Sequence, residues 1–161
     1  LQTCMVPVIS YNYAMENYER VRRTLKIACG ITAAFMIIGT ACFELIPVQL
    51  LGIFSNSEMV FEIGRIALRI IGISFLPATL SLMMPVFFQA IGKAAPSVLL
   101  TLSRQIFCLI PIFYAMSFIG LNYTWIAFPA AETITGTIGI ILYIRQIRAW
   151  NCGAEIRQKS F

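Results

Sequence analysis

The sequence predicts an all-α membrane protein, a helical transmembrane bundle of four full spans preceded by the end of another helix. Three observations carry that prediction. Hydrophobic residues make up 59% of the 161-residue chain and charged residues only 12%, against roughly one quarter charged in soluble domains, and the mean hydropathy is +0.83. Four stretches are apolar over the length of about 20 residues that a helix needs to cross a bilayer. The basic residues cluster at the ends of these stretches, where they set topology; nucleic-acid readers instead gather cations on one polar face. The lipid bilayer is the expected surroundings, and no nucleic-acid partner is expected.

The elements follow in order. Residues 1–26 read as the end of a preceding helix and a basic loop holding Arg20, Arg22, Arg23 and Lys26. The chain begins at Leu1 and its first ten residues lack the positive start of a signal peptide, so it is expected to be a piece of a longer protein. The first span, 27–45, carries Gly30, Ala33, Ala34, Gly39 and Ala41, small residues that let helices approach closely in lipid. Residues 46–54 are apolar but short, suited to a segment along the membrane surface. Ser55 and Glu58 then form an S-x-x-E capping box, opening a second span over 56–91. Glu58, Glu62, Arg65 and Arg69 make a polar stripe on its first half, spaced for pairing along the helix. Pro77 and Pro85 each delete a backbone bond, so a kinked helix is expected whose freed carbonyls need a partner or a wet cavity. The third span, 96–119, is interrupted by Arg104 and Pro111, and the fourth, 124–145, contains Pro129 and Glu132. The four spans and their connections occupy 27–149, and 150–161 reads as a polar tail.

Placing the Arg20 to Lys26 cluster in the cytoplasm puts Lys93, Arg104, Arg145, Arg148, Arg157 and Lys159 on the same side, with Arg65 and Arg69 outside. The carboxy terminus is therefore expected in the cytoplasm. Histidine and aspartate are absent and the five cysteines are scattered without a CxxC, so zinc sites and Cys/His or Ser/His nucleophilic pairs are excluded. No enzyme, metal or cofactor is expected.

Several stretches together resemble one family. PVISYNYAMENYERVRRTLK is similar to the loop after the eighth helix of the MATE (multidrug and toxic compound extrusion) family, commonly PIISYNYGAKNYxRVKKTLK. LGIFSNSEMVFEIGRIALRI resembles its LFTND…GxxALRI, FFQAIGKA its xFQAIGKA, LSRQIFCLIPIFY its LxRQxxxxIPLxx, and LNYTWIAFPAAET its LxGVWxAFPxADx. The motifs fall in the family's order over nearly the whole chain. The resemblance implies the end of helix eight and helices nine to twelve: one half of a two-lobe antiporter whose amino-terminal lobe is a missing partner. It also implies export of small cationic, amphipathic substrates in exchange for protons or sodium ions, across a plasma membrane, bacterial by type. A lipid-linked saccharide flippase of the same superfamily is the alternative. The chain departs from the family pattern at Ala14 and Met15, where Gly-Ala is usual, and at Glu132, where Asp is usual; residues 70–92 hold none of the carboxylates that some branches carry.

Glu132 is the one acid deep in a span, about 12 Å from its outer end at a 1.5 Å rise per residue. Intramembrane acids are costly and by default functional, so Glu132 is the candidate for coupling and transport; the competing reading is a packing carboxyl bonded to Thr133, Thr135 or a neighbouring helix. Arg104 lies about two turns into its helix and is expected to snorkel back to the cytoplasmic surface, as an anchor or lobe-packing cation. Gln89 and Gln105 are polar candidates of the same kind, more often interhelical glue than ligands. Tyr11, Asn12 and Tyr13, the family loop motif, are expected to seal the cytoplasmic end. Met83, Met84, Phe87 and Phe88 read as core or lipid-facing filler before cavity lining, and Pro77, Pro85, Pro111 and Pro129 as hinges.

Overall fold

The computed structural model describes residues 2–53 and 57–159, with side chains through residue 152. Helix α1 (Gln2–Ala14) leads into α2 (Tyr18–Leu45), the short α3 (Pro47–Gly52) and the long α4 (Glu58–Ala90). The third span is α5 (Ala94–Leu102), a π-helical segment (Ser103–Leu109) and α6 (Ile110–Ser117), followed by α7 (Leu121–Thr124) and α8 (Ala127–Lys159). Among the described residues four helices are long and apolar enough to cross a membrane: Tyr18–Leu45, Glu58–Ala90, Ala94–Ser117 and Leu121–Cys152.

Helix α2 starts well before the apolar run, so the Arg20, Arg22, Arg23 and Lys26 cluster is helical and not a loop. Hydropathy sees only the greasy part of a helix, whereas Arg, Lys and Glu are good helix formers. Asn17 makes the start, its side chain accepting the Arg20 amide at 3.1 Å, with Glu19 in the first turn to complement the helix dipole. For the same reason α8 runs on to Lys159 through residues expected as a polar tail. The capping box at Ser55 lies outside the described residues; α4 begins at Glu58 with Ser57 in extended backbone before it.

The α1 to α2 turn is closed by Asn17 N–H to Asn12 C=O (2.9 Å) and Glu16 N–H to Tyr13 C=O (3.0 Å), the pairing of a Schellman motif. The left-handed residue is Glu16, at φ 55°, so Ala14 and Met15 are spared the conformation that glycine would have eased. The α4 to α5 turn repeats the pattern with Gly92 at φ 75°, Lys93 N–H reaching Phe88 C=O at 2.9 Å.

Helix α4 is the centre of the bundle: 44% of its apolar window is buried, against 11% for α2 and for the third span. α2 runs antiparallel to it, with Thr40 Oγ1 donating to Gly72 C=O at 2.9 Å and Gly39 against the Phe75 ring. α8 runs parallel to α4, and the two come close because Gly139 sits where a Cβ would stand 2.8 Å from the Met84 side chain. Arg69 reaches across to Glu44 on α2 at 3.6 Å instead of pairing along its own stripe, since neighbouring α2 brings a carboxylate within range. The core lies toward the basic end, where Ile9, Val21, Met83, Met84, Phe87, Phe88 and Leu100 are buried.

Pro77 and Pro85 lie inside an unbroken α4. Pro111 lies two residues past the end of the π-helical segment; a wider turn relieves the clash between its ring and the preceding turn's carbonyl. Pro129 is in the first turn of α8, where the amide it lacks has no intrahelical partner to lose.

Candidate functional site

Three spans meet at Glu132. From the π-helical segment Arg104 Nη1 donates to Glu132 Oε1 at 3.2 Å, and from α4 the Ser81 hydroxyl donates to Oε2. Side-chain exposure is 24% for Arg104 and 14% for Glu132, and Ser81 is buried. A half-exposed surface pair of this type contributes little; a pair this enclosed, with a hydroxyl on the second oxygen, is costly to break because it strands a charge. Arg104 thus turns inward to the acid. The expected snorkelling fails because a carboxylate within reach at mid-depth outcompetes the distant interface.

The geometry narrows the competing reading of Glu132 to its third form, a bond to a neighbouring helix. Thr133 donates to Pro129 C=O at 2.6 Å, and the buried Thr135 hydroxyl has no hydrogen-bond partner among the described residues. Glu132 bonds to neighbouring helices, not to its own.

Arg104 separates two cavities. One, of about 190 Å³, is lined by Gln2, Ser81, Pro85, Gln89, Ser97 and Thr101 among others, and by Arg104 itself. Pro85 has no N–H for the Ser81 carbonyl four residues before it, so this cavity opens where α4 leaves a backbone acceptor free. The second, of about 180 Å³, is lined by Arg104, Gln105, Leu109, Phe128, Ala131 and Glu132. Gln89 and Gln105 therefore fall on the two sides of the ion pair, both exposed. Met83, Met84, Phe87 and Phe88 line neither, being core. Among the described residues no cluster of three or more His, Cys, Asp or Glu stands ready for a metal.

Of the loop motif, Tyr13 packs on Tyr18 and Trp150, ring centroids 6.0 and 5.7 Å away. Asn12 bonds back to Val8 C=O at 2.8 Å. Tyr11 is 66% exposed and seals nothing within this chain; on a helix its side chain points well away from that of Tyr13.

Ser81 was not singled out by the sequence. The signal was periodic: Ser81, Pro85 and Gln89 recur every four residues, as Ser97, Thr101 and Arg104 recur at four and three, giving two facing polar stripes. The π-helical turn that carries Arg104 and Gln105 has one mark in the sequence, Pro111 just beyond it.

A model of the MatE family matches residues 1–115. The chain belongs to this family. No curated protein matches it. Solved structures share its fold, three of them as follows. A MATE protein in complex with MaL6 superposes with a TM-score of 0.87 at 20% identity, over 93% of this chain and 35% of that one. An outward-facing multidrug resistance MATE family transporter of the MOP superfamily gives 0.87 at 21%, over 93% and 34%. A MOP superfamily transporter from Pyrococcus furiosus Vc1, whose binding pocket of reverse polarity suggests a different function for it, gives 0.85 at 22%, over 93% and 34%. This MatE chain spans about a third of the length of these structures; it is a multi-pass membrane protein of the same architecture.

Proposed function

We propose that the chain is the carboxy-terminal lobe of a secondary antiporter, exporting small cationic, amphipathic compounds as protons or sodium ions enter. A second six-helix lobe would face it across a cavity open to one side at a time, with the basic end of the bundle in the cytoplasm. Glu132 is the group that alternately holds cargo and coupling ion. The observation that carries this is the convergence of Ser81, Arg104 and Glu132 from three spans, at mid-depth, between two cavities. An acid kept in so costly a place, beside open volume, is the expected form of an ion or substrate site. A flippase for pyrophosphate-linked lipids would need several cations to hold phosphate, whereas Arg104 is, among the described residues, the one cation lining these two cavities, and it is paired with Glu132.

Dye efflux from cells carrying the intact transporter tests this reading. Glu132→Gln strands Arg104 and is expected to lower membrane abundance as well, so export is read per transporter in the membrane, where it should fall about tenfold or more; unchanged export per transporter would reduce the carboxylate to packing.

A further inference from the structure

We propose that Arg104 is a tethered competitor for Glu132: it occupies the carboxylate when neither cargo nor coupling ion is bound and withdraws into the adjoining polar cavity when a monovalent cation arrives. This rests on the reading of Glu132 as the cargo-holding acid, and it adds a residue that sets which cargo is accepted.

The two oxygens of Glu132 are held differently. Oε2 takes its bond from Ser81 on the buried face of α4, a short side chain with nowhere to go. Oε1 takes its bond from the end of a long flexible side chain, and that side chain also borders the cavity of about 190 Å³. The alternative seat is already built. Gln89, Ser97 and Thr101 line that cavity and each offers an oxygen that accepts a hydrogen bond. Ser97, Thr101 and Arg104 share one face of their helix, and long helical side chains lean toward the helix amino terminus. The direction in which Arg104 folds back is therefore toward Thr101 and Ser97. This is the inward-to-basic-end direction that snorkelling follows, so the two readings of Arg104 become two states of one side chain.

Charge makes the exchange obligatory. Withdrawing the guanidinium with nothing in its place strands an acid and a base in a medium of low dielectric, so Arg104 leaves only as another positive charge reaches Glu132. A second charge on the same cargo would meet the withdrawn guanidinium across their shared wall, which points to monocations. The π-helical turn beneath Arg104 is the sort of irregular backbone found at functional sites.

The test uses the intact transporter and the monocation tetraphenylphosphonium, with neutral triphenylphosphine oxide as a control of similar shape. Arg104→Gln removes the competitor and should tighten tetraphenylphosphonium binding about fivefold or more, within the usual range of coupling between sites, with no gain for the neutral control. The triple variant Gln89→Leu/Ser97→Ala/Thr101→Val removes all three acceptors of the alternative seat and should weaken binding by a similar factor, and the double variant Ser97→Ala/Thr101→Val by part of it. If Arg104→Gln binds no tighter, or the double variant binds as well as the parent, the competitor is refuted. If Glu132→Gln binds tetraphenylphosphonium as the parent does, the reading of Glu132 falls first.

Discussion

The basic end of the bundle and its middle are built on opposite rules. At the basic end, Tyr13, Tyr18, Phe87, Tyr143 and Trp150 form a continuous aromatic cluster, Tyr18 stacked on Trp150 at 4.7 Å and Phe87 edge-on to Tyr143 at 5.1 Å. Polar ties ring it. Ser10 donates to Ala90 C=O at 2.8 Å, Lys93 to Gln146 at 2.6 Å and Arg22 to Asn151 at 2.6 Å. These ties bind α1, α2, α4 and α8 together. The middle has instead two cavities, a proline without its amide, a π-helical turn and one ion pair. Apolar packing of large rings fixes one arrangement, whereas a few polar groups beside open volume permit more than one. The basic end reads as the anchor, and the middle as the part that works.

That contrast can be broken in order of expected effect. Glu132→Gln, as above, should cost most in export counted per transporter in the membrane. Trp150→Ala should do the reverse: deleting a buried aromatic costs about 3–5 kcal/mol, lowering the thermal midpoint in detergent while the concentration of dye giving half-maximal export stays put. A large rise in that concentration would place the aromatic cluster in the transport path. Gly139→Val forces α8 off Met84, where even a Cβ would stand at 2.8 Å, and overpacking of this kind costs about 1–3 kcal/mol; the same thermal measurement should register it. Ser81→Ala removes one bond to Glu132 and should lower export a few-fold with a stability change of about 1 kcal/mol. Arg69→Ala breaks a pair that is nearly half exposed and should shift stability by less than about 1 kcal/mol, with export unaffected.

The spans were legible because a bilayer demands a long apolar run whatever the packing, and Glu132 because an acid inside such a run stands alone. The turn at Gly92 was legible from glycine chemistry. Helix starts were not: Tyr18 and the extension of α8 past Trp150 lie in charged sequence that hydropathy passes over, though its residues favour helix. Nor was the direction of Arg104. A sequence gives the depth of a residue but not its rotamer, and at the depth of Arg104 both the membrane surface and Glu132 compete for the guanidinium. Ser81 was hidden by being an ordinary small residue in a helix, visible only once the stripe through Pro85 and Gln89 is set against that through Ser97, Thr101 and Arg104.

The most direct test is chemical access to the acid itself. A hydrophobic carbodiimide, applied in membranes to the intact transporter carrying Arg104→Gln, in which no guanidinium holds the carboxylate, and followed by mass spectrometry of the peptide containing Glu132, should modify that residue, and tetraphenylphosphonium should protect it in proportion to its occupancy. Modification that proceeds equally with and without the cation would mean that cargo never comes to Glu132.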